Sequence, residues 1–429
     1  MRRLSVDAAR ARIAARNADL NAVLHVLEEP EQRASQGPLA GVPYVLKDTW
    51  DTAGIPTTGG SWRHRARVPT ESSHAHDALA GAGAVLLGKS NLCDLAFSVE
   101  SDNHLLGPVR NPHDPHRTAG GSTGGGAAAV ADGMAAFDWG TDFGGSIRGP
   151  AAFCGIVGMR LSAATWPVER HHFPRLDALF WDFCGMGPLT RTVQDARVVT
   201  HAVRRELRSG DVHRAMSTNE VVIWPPDRAH LGRWPSFVED ATRALRAAGV
   251  RYTIGYELPT PTQVNALYTE YLAAHFEEFI RSGELPLREG LPAVLASLVS
   301  GGKLDRRVHP NTAVLLAAVA GLSLVHRDKA RAQARRAALR EAFESRWNEG
   351  TLVVSPTTTD LPPRHGRSAF ATRIMSFCKA GNLLGATAIA IPFGTFPGTA
   401  LPRSLQILGP AGSEEAVMDL AERISVVRQ

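Results

Sequence analysis

The sequence is poor in lysine and in cysteine, and each shortage narrows its interpretation. Its 47 basic residues include only five lysines, so a lysine in a conspicuous position needs its own explanation. The four cysteines are far apart and form no C-x-x-C pair, which excludes the usual zinc and redox motifs and a disulfide scaffold. We interpret all four as free thiols: Cys93, Cys154, Cys184 and Cys378.

Long apolar runs and a strong charge imbalance are also missing. The longest apolar stretch, 313–325, is shorter than the ~20 residues that span a bilayer and contains Gly321 and Ser323, so it predicts a buried helix and no membrane span. The first ten residues, interrupted by Arg and Asp, do not resemble a signal peptide, and we expect a cytoplasmic protein. A formal charge of +5 is a small excess for 429 residues, so no nucleic-acid partner is predicted.

The hydrophobic pattern predicts an α/β protein. Apolar residues at helical spacing over 3–29 predict an opening helix, and 261–347 is largely helical in pattern. We therefore expect one mixed sheet whose middle section is a helical, cap-like insertion. Short apolar runs predict buried strands at 41–46, 84–87, 220–224, 250–254, 351–354, 388–391 and 404–408.

Two serines in the glycine-rich segment 120–150 each follow a pair of glycines. The chain reads Gly-Gly-Ser122-Thr-Gly-Gly and later Gly-Thr-Asp142-Phe-Gly-Gly-Ser146-Ile-Arg148. A P-loop would need Gly-Lys-Ser/Thr, a dinucleotide loop would need a preceding strand, and a G-x-S-x-G elbow would need glycine where Arg148 stands. The simplest alternative is that the glycines form turns and the serines cap helices.

The second serine has a further chemical use. Four consecutive backbone amides can converge beside its hydroxyl and form an oxyanion hole: Phe143, Gly144, Gly145 and Ser146. A serine nucleophile needs a base, and no pattern singles out one of the 16 histidines. A lysine can act as the base if burial or cationic neighbours lower its pKa. Lys47, at the end of the apolar run 41–46, is placed for that role.

These segments resemble the amidase signature family of serine hydrolases. Residues 120–155 match its Gly-Gly-Ser-Ser-Gly-Gly and Gly-Thr-Asp-x-Gly-Gly-Ser-Ile/Val-Arg patterns, and 41–48 match its Gly-x-Pro-x-x-x-Lys-Asp motif. Further family motifs occur in order at 54–61, 82–91, 187–195, 382–392 and 405–410. The resemblance is good over 1–200 and 350–429 and weak over 201–349.

The resemblance implies a fold and a domain organisation. The fold would be α/β, a single large mixed, twisted sheet covered by helices on both faces. Residues 1–429 would form one amidase domain, with its core from 1–200 and 350–429. The variable, mainly helical insertion 201–349 would set substrate specificity.

The resemblance also implies a Ser-Ser-Lys triad that cleaves a carboxylic amide through an acyl-enzyme. Ser146 would be the nucleophile, Ser122 the bridging serine after a cis peptide bond, and Lys47 the base, with no metal or cofactor. Asp142 and Arg148 would brace the loop by hydrogen bonds. Thr123 stands where the family has a second serine and keeps the hydroxyl.

The substrate side is less constrained by the sequence. Ala96, Phe97 and Ser98 match a loop that flanks the scissile bond in the family, and the stretch 171–183 predicts either a channel for a bulky apolar or aryl acyl group or ordinary core packing. The pairs His74-x-His76 and His113-x-x-His116 lack a third ligand, so no metal site is predicted. The expected partner is a small-molecule amide, and beyond it at most a second copy of the chain.

Two other functions would use the same residues. An acyltransferase would pass the acyl group to an amine or alcohol. The A subunit of a glutamine-dependent tRNA amidotransferase is disfavoured because its middle stretch ending in Asp-Gly-Val-Arg-Tyr has no counterpart here, and because 429 residues is short for such a protein. An inactive relative is disfavoured because the triad is intact.

Overall fold

The apolar runs predicted as strands lie side by side in one sheet. The computed structural model describes residues 4–162, 172–173, 181, 183–207, 216, 218–278, 287–303 and 306–426. Its strands are β1 Val23–Glu31, β2 Pro43–Lys47, β3 Val85–Ser90, β4 Arg110–Asn111, β5 Asp114–Thr118, β6 Phe137–Asp142, β7 Val157–Arg160, β8 Gly185–Thr190, β9 Glu220–Ile223, β10 Arg251–Ile254, β11 Leu352–Pro356, β12 Thr387–Thr395 and β13 Pro402–Gly409.

Helices lie between many of these strands along the chain, and four described helices follow one another between β10 and β11. The helices are α1 Val6–Leu20, α2 His74–Gly81, α3 Gly124–Asp132, α4 Arg148–Cys154, α5 Val193–Leu207, α6 Phe237–Ala247, α7 Pro261–Ala274, α8 Leu287–Ser300, α9 Pro310–Ser323, α10 Lys329–Asn348, α11 Ser376–Leu384 and α12 Glu414–Val426. Among these described helices, none is both long and apolar enough to cross a bilayer.

Eleven strands form one mixed sheet in the order β1-β3-β2-β6-β8-β7-β12-β13-β11-β9-β10. Strand β2 is parallel to both β3 and β6, while β6, β8, β7, β12, β13 and β11 pair antiparallel in turn. Because parallel strands end at the same edge, Lys47 at the end of β2 lies beside Thr141 and Asp142 at the end of β6. This edge carries the candidate site.

Helices bury both faces of the sheet, as the predicted fold requires. Tyr44 and Leu46 of β2 pack with α2, α5, α6 and α12 on one face, while the intervening Val45 packs with α1, α3 and α4 on the other. This alternation follows from the two-residue side-chain period of a strand. Further along the second face, α7, α10 and α11 pack on β9, β11, β12 and β13. The predicted α/β fold is confirmed.

The segment 201–349 contributes to the sheet as well as to the cap. It supplies the parallel strands β9 and β10, of which β10 lies at the edge of the sheet, before it supplies helices α7 to α10. Buried polar contacts fasten α9 to the core: the amide of His309 donates to Asp94 over 2.7 Å, and the Asn311 amide group donates to the buried Glu100 over 3.3 Å. These contacts hold the cap over the loop that contains residues 96–98.

The predicted opening helix over 3–29 is wrong beyond residue 20. Helix α1 ends at Asn21, whose φ of 54° is left-handed, and the chain then forms the sheet-edge strand β1, antiparallel to β3. The Asn17 side chain bonds both the amide and the carbonyl of Val23, at 2.8 and 2.9 Å, and so fixes the turn. Pairing with a neighbouring strand therefore overrides the helical spacing of the apolar residues in this segment.

Candidate active site

Lys47 is completely buried at the end of β2 and contacts the first of the two predicted serines. Its Nζ lies 2.7 Å from Ser122 Oγ, 2.9 Å from Thr141 Oγ1 and 3.3 Å from the Thr141 carbonyl oxygen. All three neighbours are hydroxyl or carbonyl oxygens rather than carboxylates. Burial lowers the pKa of Lys47 to about 8, because the ammonium form is poorly solvated there.

A second buried lysine on the adjacent strand is held differently. Lys89 of β3 donates to the Trp50 carbonyl over 2.6 Å and to Thr57 over 2.8 Å, and it lies 3.6 Å from the Asp48 carboxylate. Burial lowers the pKa of Lys89 as well, but Asp48 counteracts this. Lys89 is thus paired with Asp48 and binds groups of the loop after β2, whereas Lys47 contacts Ser122.

The loop that carries Ser122 is tied directly to the loop that carries Ser146. The Gly121–Ser122 peptide bond is cis, and the next amide, that of Thr123, donates to the Ser146 carbonyl over 3.1 Å. The Ser101 hydroxyl donates to the Ser122 carbonyl over 3.1 Å from the other side. Ser122 is buried and Ser146 is half-buried, so the second serine is the one open to the cavity described below.

Asp142 organises the loop around Ser146. Its carboxylate accepts the amides of Gly145 and Ile147, at 2.9 and 3.1 Å, and two guanidinium bonds from Arg148, at 2.8 and 3.0 Å. Burial alone would raise the pKa of Asp142, but the Arg148 guanidinium outweighs it and holds the pKa well below its ordinary value. Asp142 therefore stays ionised and fixes the turn that presents Ser146.

The two glycines before Ser146 are required by close contacts. A side chain at Gly145, where φ is +105°, would place its Cβ 2.5 Å from Cβ of Cys378, and one at Gly144 would lie 2.7 Å from the Tyr268 hydroxyl. The Gly145 amide, predicted to face an oxyanion, donates to Asp142 instead. The Gly145 N–H is therefore hydrogen-bonded within the loop, whereas the sequence predicted that it would be available to an oxyanion.

A cavity of about 280 Å³ opens beside Ser146 and is mostly apolar. Ala96, Phe97 and Ser98 line it together with Phe143 and Gly144, so these predicted residues do meet in space. Its far wall comes from the cap, through residues of α7 and α9: Tyr268, Thr269, Leu272, Leu315, Ala318, Val319 and Leu322. The segment with the weakest family resemblance thus forms much of the wall.

Sequence reasoning missed several polar residues of the site. Asn382 donates to the Asp142 carbonyl over 2.7 Å, and Gln406 accepts from Arg148 over 2.6 Å. Lys379 lines the cavity, donates to Asn265 and to the Thr372 carbonyl, and has a pKa lowered to about 8 by burial. These residues could have been noticed as polar residues within apolar segments, because a buried polar side chain is normally hydrogen-bonded to another buried group.

Other sequence candidates lie away from the cavity. Of the stretch 171–183, only residues 172, 173, 181 and 183 fall among the described residues; they are buried and do not line the cavity, which favours packing over a channel. His76 is buried in α2, while the His113 ring contacts the Cys154 carbonyl. Within the described ranges, no three His, Cys, Asp or Glu side chains are grouped as a metal site would require.

The buried Asp142–Arg148 pair predicts a large effect on stability. Replacing Arg148→Met removes both guanidinium hydrogen bonds from the buried Asp142 and leaves Arg160, 3.9 Å away, as its cation, so we expect the free energy of unfolding to fall by about 3 kcal/mol. The matched control is Arg12→Gln, which breaks a half-exposed pair with Asp132 and should cost less than about 1 kcal/mol. Urea denaturation of both variants checks this, and equal losses would contradict the assigned role of Arg148.

The chain is similar to known proteins along most of its length. The A subunit of the glutamyl-tRNA(Gln) amidotransferase of Halobacterium salinarum is 29% identical over 93% of this chain and 98% of its own length. A fatty acid amide hydrolase of Arabidopsis thaliana is 28% identical over 95% of this chain and 68% of its own length. Because the first alignment covers nearly the whole of that relative, the length argument against an amidotransferase component was wrong.

A solved structure and a family profile extend the likeness over nearly the whole chain. A crystal structure of an amidase is 26% identical, covers 98% of this chain and 95% of its own, and superposes with a TM-score of 0.74. The family profile described as Amidase matches residues 5–418. The chain therefore belongs to the amidase family.

Proposed function

We propose that the protein hydrolyses carboxylic amides through an acyl-enzyme on Ser146, with Ser122 and Lys47 as a proton relay. The observation that carries the proposal is the 2.7 Å contact between Nζ of the buried Lys47 and Ser122 Oγ. The hydrogen bond from the Thr123 amide to the Ser146 carbonyl supports it, because it holds the second serine against the first.

The contacts of Lys47 fit the amine before and after it takes up a proton. Nζ donates to Ser122 Oγ and to both oxygens of Thr141, which together match the three donors of an ammonium. Loss of one proton leaves two donors for the Thr141 oxygens and a lone pair that can accept the Ser122 hydroxyl proton. The lowered pKa makes this form accessible near neutral pH.

Acylation proceeds by attack of Ser146 Oγ on the substrate carbonyl carbon. The Ser146 proton passes to Ser122 Oγ, and the Ser122 proton passes to Lys47 Nζ. The negative oxygen of the tetrahedral intermediate binds backbone amides of the 143–146 loop; the Gly145 amide would first have to leave Asp142. When the C–N bond breaks, the relay returns a proton to the leaving nitrogen and Ser146 remains as an ester.

Deacylation repeats these steps with water as the nucleophile. Water attacks the ester carbonyl, its proton moves along Ser122 to Lys47, and the carboxylic acid leaves as Ser146 recovers its proton. An acyltransferase would differ only in admitting an amine or alcohol at this step. The choice between hydrolysis and transfer therefore depends on the acceptor and not on the relay.

The cavity indicates an apolar acyl group. Leu272, Leu315, Val319 and Leu322 line it with Phe97, a surface that favours aryl or alkyl chains by the hydrophobic effect. The Arabidopsis relative is named for fatty acid amides, which agrees with an apolar acyl chain. Lys379 is the only lysine or arginine lining the described cavity.

Incubation with a panel of aryl and alkyl amides tests the proposal. We expect the wild type to release amine, faster from apolar acyl groups than from acetamide, and Ser146→Ala to lose about 10³-fold or more of kcat/KM. The conservative control Ser35→Ala removes an exposed hydroxyl that does not line the cavity and should keep full activity. Equal amine release by wild type and Ser146→Ala would overturn the proposal.

A role as one component of a larger assembly is the second candidate. The full-length likeness to the A subunit of an amidotransferase favours it. Hydrolysis by the purified chain alone would support the amidase, whereas activity that appears only with partner proteins would support the assembly. Added hydroxylamine separates the acyltransferase, because hydroxamate that accumulates in place of acid marks transfer.

The pKa of Lys47 predicts the pH dependence of the reaction. Because the neutral amine is the base and its pKa is lowered to about 8, kcat/KM should level off above pH 8 and fall about tenfold per pH unit below it. Lys379 has a similar pKa, so Lys379→Met is the matched control. The inflection should persist in that variant whatever its KM; its disappearance would mean that Lys379, and not Lys47, titrates.

A further inference from the structure

Five arginines converge on a second cavity that shares no lining residue with the first. We call this cavity of about 760 Å³ the arginine groove, and its arginines are Arg117, Arg233, Arg364, Arg367 and Arg373. Asp360 is the only acid among its described lining residues. The whole chain has a formal charge of only +5, so this local excess of positive charge is large in comparison.

Most of these guanidinium groups lack a counterion. Arg233 lies 3.4 Å from Asp360, and Arg117 lies 3.0 Å from Asp114. Within the described part of the chain, the side chains of Arg364, Arg367 and Arg373 make no hydrogen bond or ion pair and are exposed. The groove therefore holds several unneutralised, permanently charged groups that face one volume.

Three basic residues of the surface helix α10 have acidic partners. On α10, Arg331 and Arg335 both pair with Glu270, and Lys329 pairs with Glu278. Like charges without such partners repel one another and lower the stability of the fold unless an anion lies between them. The groove differs from these pairs because its unpaired guanidinium groups surround one volume that can hold an anion.

We propose that the arginine groove binds a small anion with two or more phosphate or carboxylate groups. Guanidinium groups match both anions by paired, charge-assisted hydrogen bonds. The volume lies within the range of small-molecule sites. The lining comes from four short segments around one cavity, 117, 229–233, 359–367 and 371–374, rather than from the extended basic track that a nucleic-acid backbone follows.

The groove is separated from the catalytic cavity by one segment of chain. Ala371, Arg373 and Ile374 line the groove, whereas Thr372 between them lines the cavity beside Ser146. An anion bound by Arg373 would therefore contact the back of the catalytic wall without entering the substrate site. Its binding does not depend on the proposed reaction and can be measured without a substrate.

Titration calorimetry with pyrophosphate and with citrate tests the proposal, with inorganic phosphate and chloride as weaker anions. We expect saturable binding of one equivalent of pyrophosphate, of citrate or of both, and the stronger ligand identifies the source as phosphate or carboxylate. The double variant Arg367→Gln/Arg373→Gln should weaken that binding about tenfold or more. Both side chains are exposed, so the variant should melt as the wild type does.

The matched control is Arg327→Gln/Arg340→Gln, which removes the same charge outside the groove and should leave the affinity within about twofold. Equal weakening by both double variants would mean diffuse attraction and would overturn the site. Absence of saturable binding would overturn it too. So would tighter, groove-dependent binding of single-stranded DNA, because the occupant would then be a nucleic acid.

Discussion

A lysine buried without a carboxylate beside it is the constraint on which the site depends. Lys47 can supply a base near neutral pH only because burial destabilises its ammonium form. The sheet provides this burial: β2 runs between β3 and β6, and helices cover both faces. Lys89, one strand away and equally buried, shows the alternative, since Asp48 at 3.6 Å favours its charge. The two lysines are equally buried and differ in their immediate neighbours: a carboxylate lies 3.6 Å from Lys89, whereas Lys47 contacts hydroxyl and carbonyl oxygens.

The opposite electrostatic arrangement fixes the loop that carries Ser146. Asp142 and Arg148 are fully buried as an ion pair, and the amides and side chains around them satisfy the remaining hydrogen bonds. Such a pair adds little net stability, but loss of one partner is severe, so it holds a single loop geometry. A buried lysine and a compensated ion pair thus lie at the same edge of the sheet.

Local motifs predicted which residues lie together better than they predicted individual hydrogen bonds. The family resemblance singled out Lys47, Ser122 and Ser146, and the structure brings the side chains of Lys47 and Ser122 into contact. The Gly145 amide was misassigned, because the motif does not show that Asp142 accepts it. The segment 21–29 was misassigned because its partner strand is about 60 residues away along the chain. The sequence did not predict the arginine groove, because Arg117 and Arg373 are far apart along the chain and line the same cavity only in the folded protein.

Activation of Ser146 through Lys47 is tested most directly by mass spectrometry of the protein after reaction with an alkyl fluorophosphonate, which phosphonylates an activated serine and releases fluoride. We expect a single adduct, on the peptide that contains Ser146, and much slower labelling of a folded Lys47→Met variant. An adduct on another residue, or equal labelling rates for the wild type and Lys47→Met, would contradict the activation of Ser146 through Lys47.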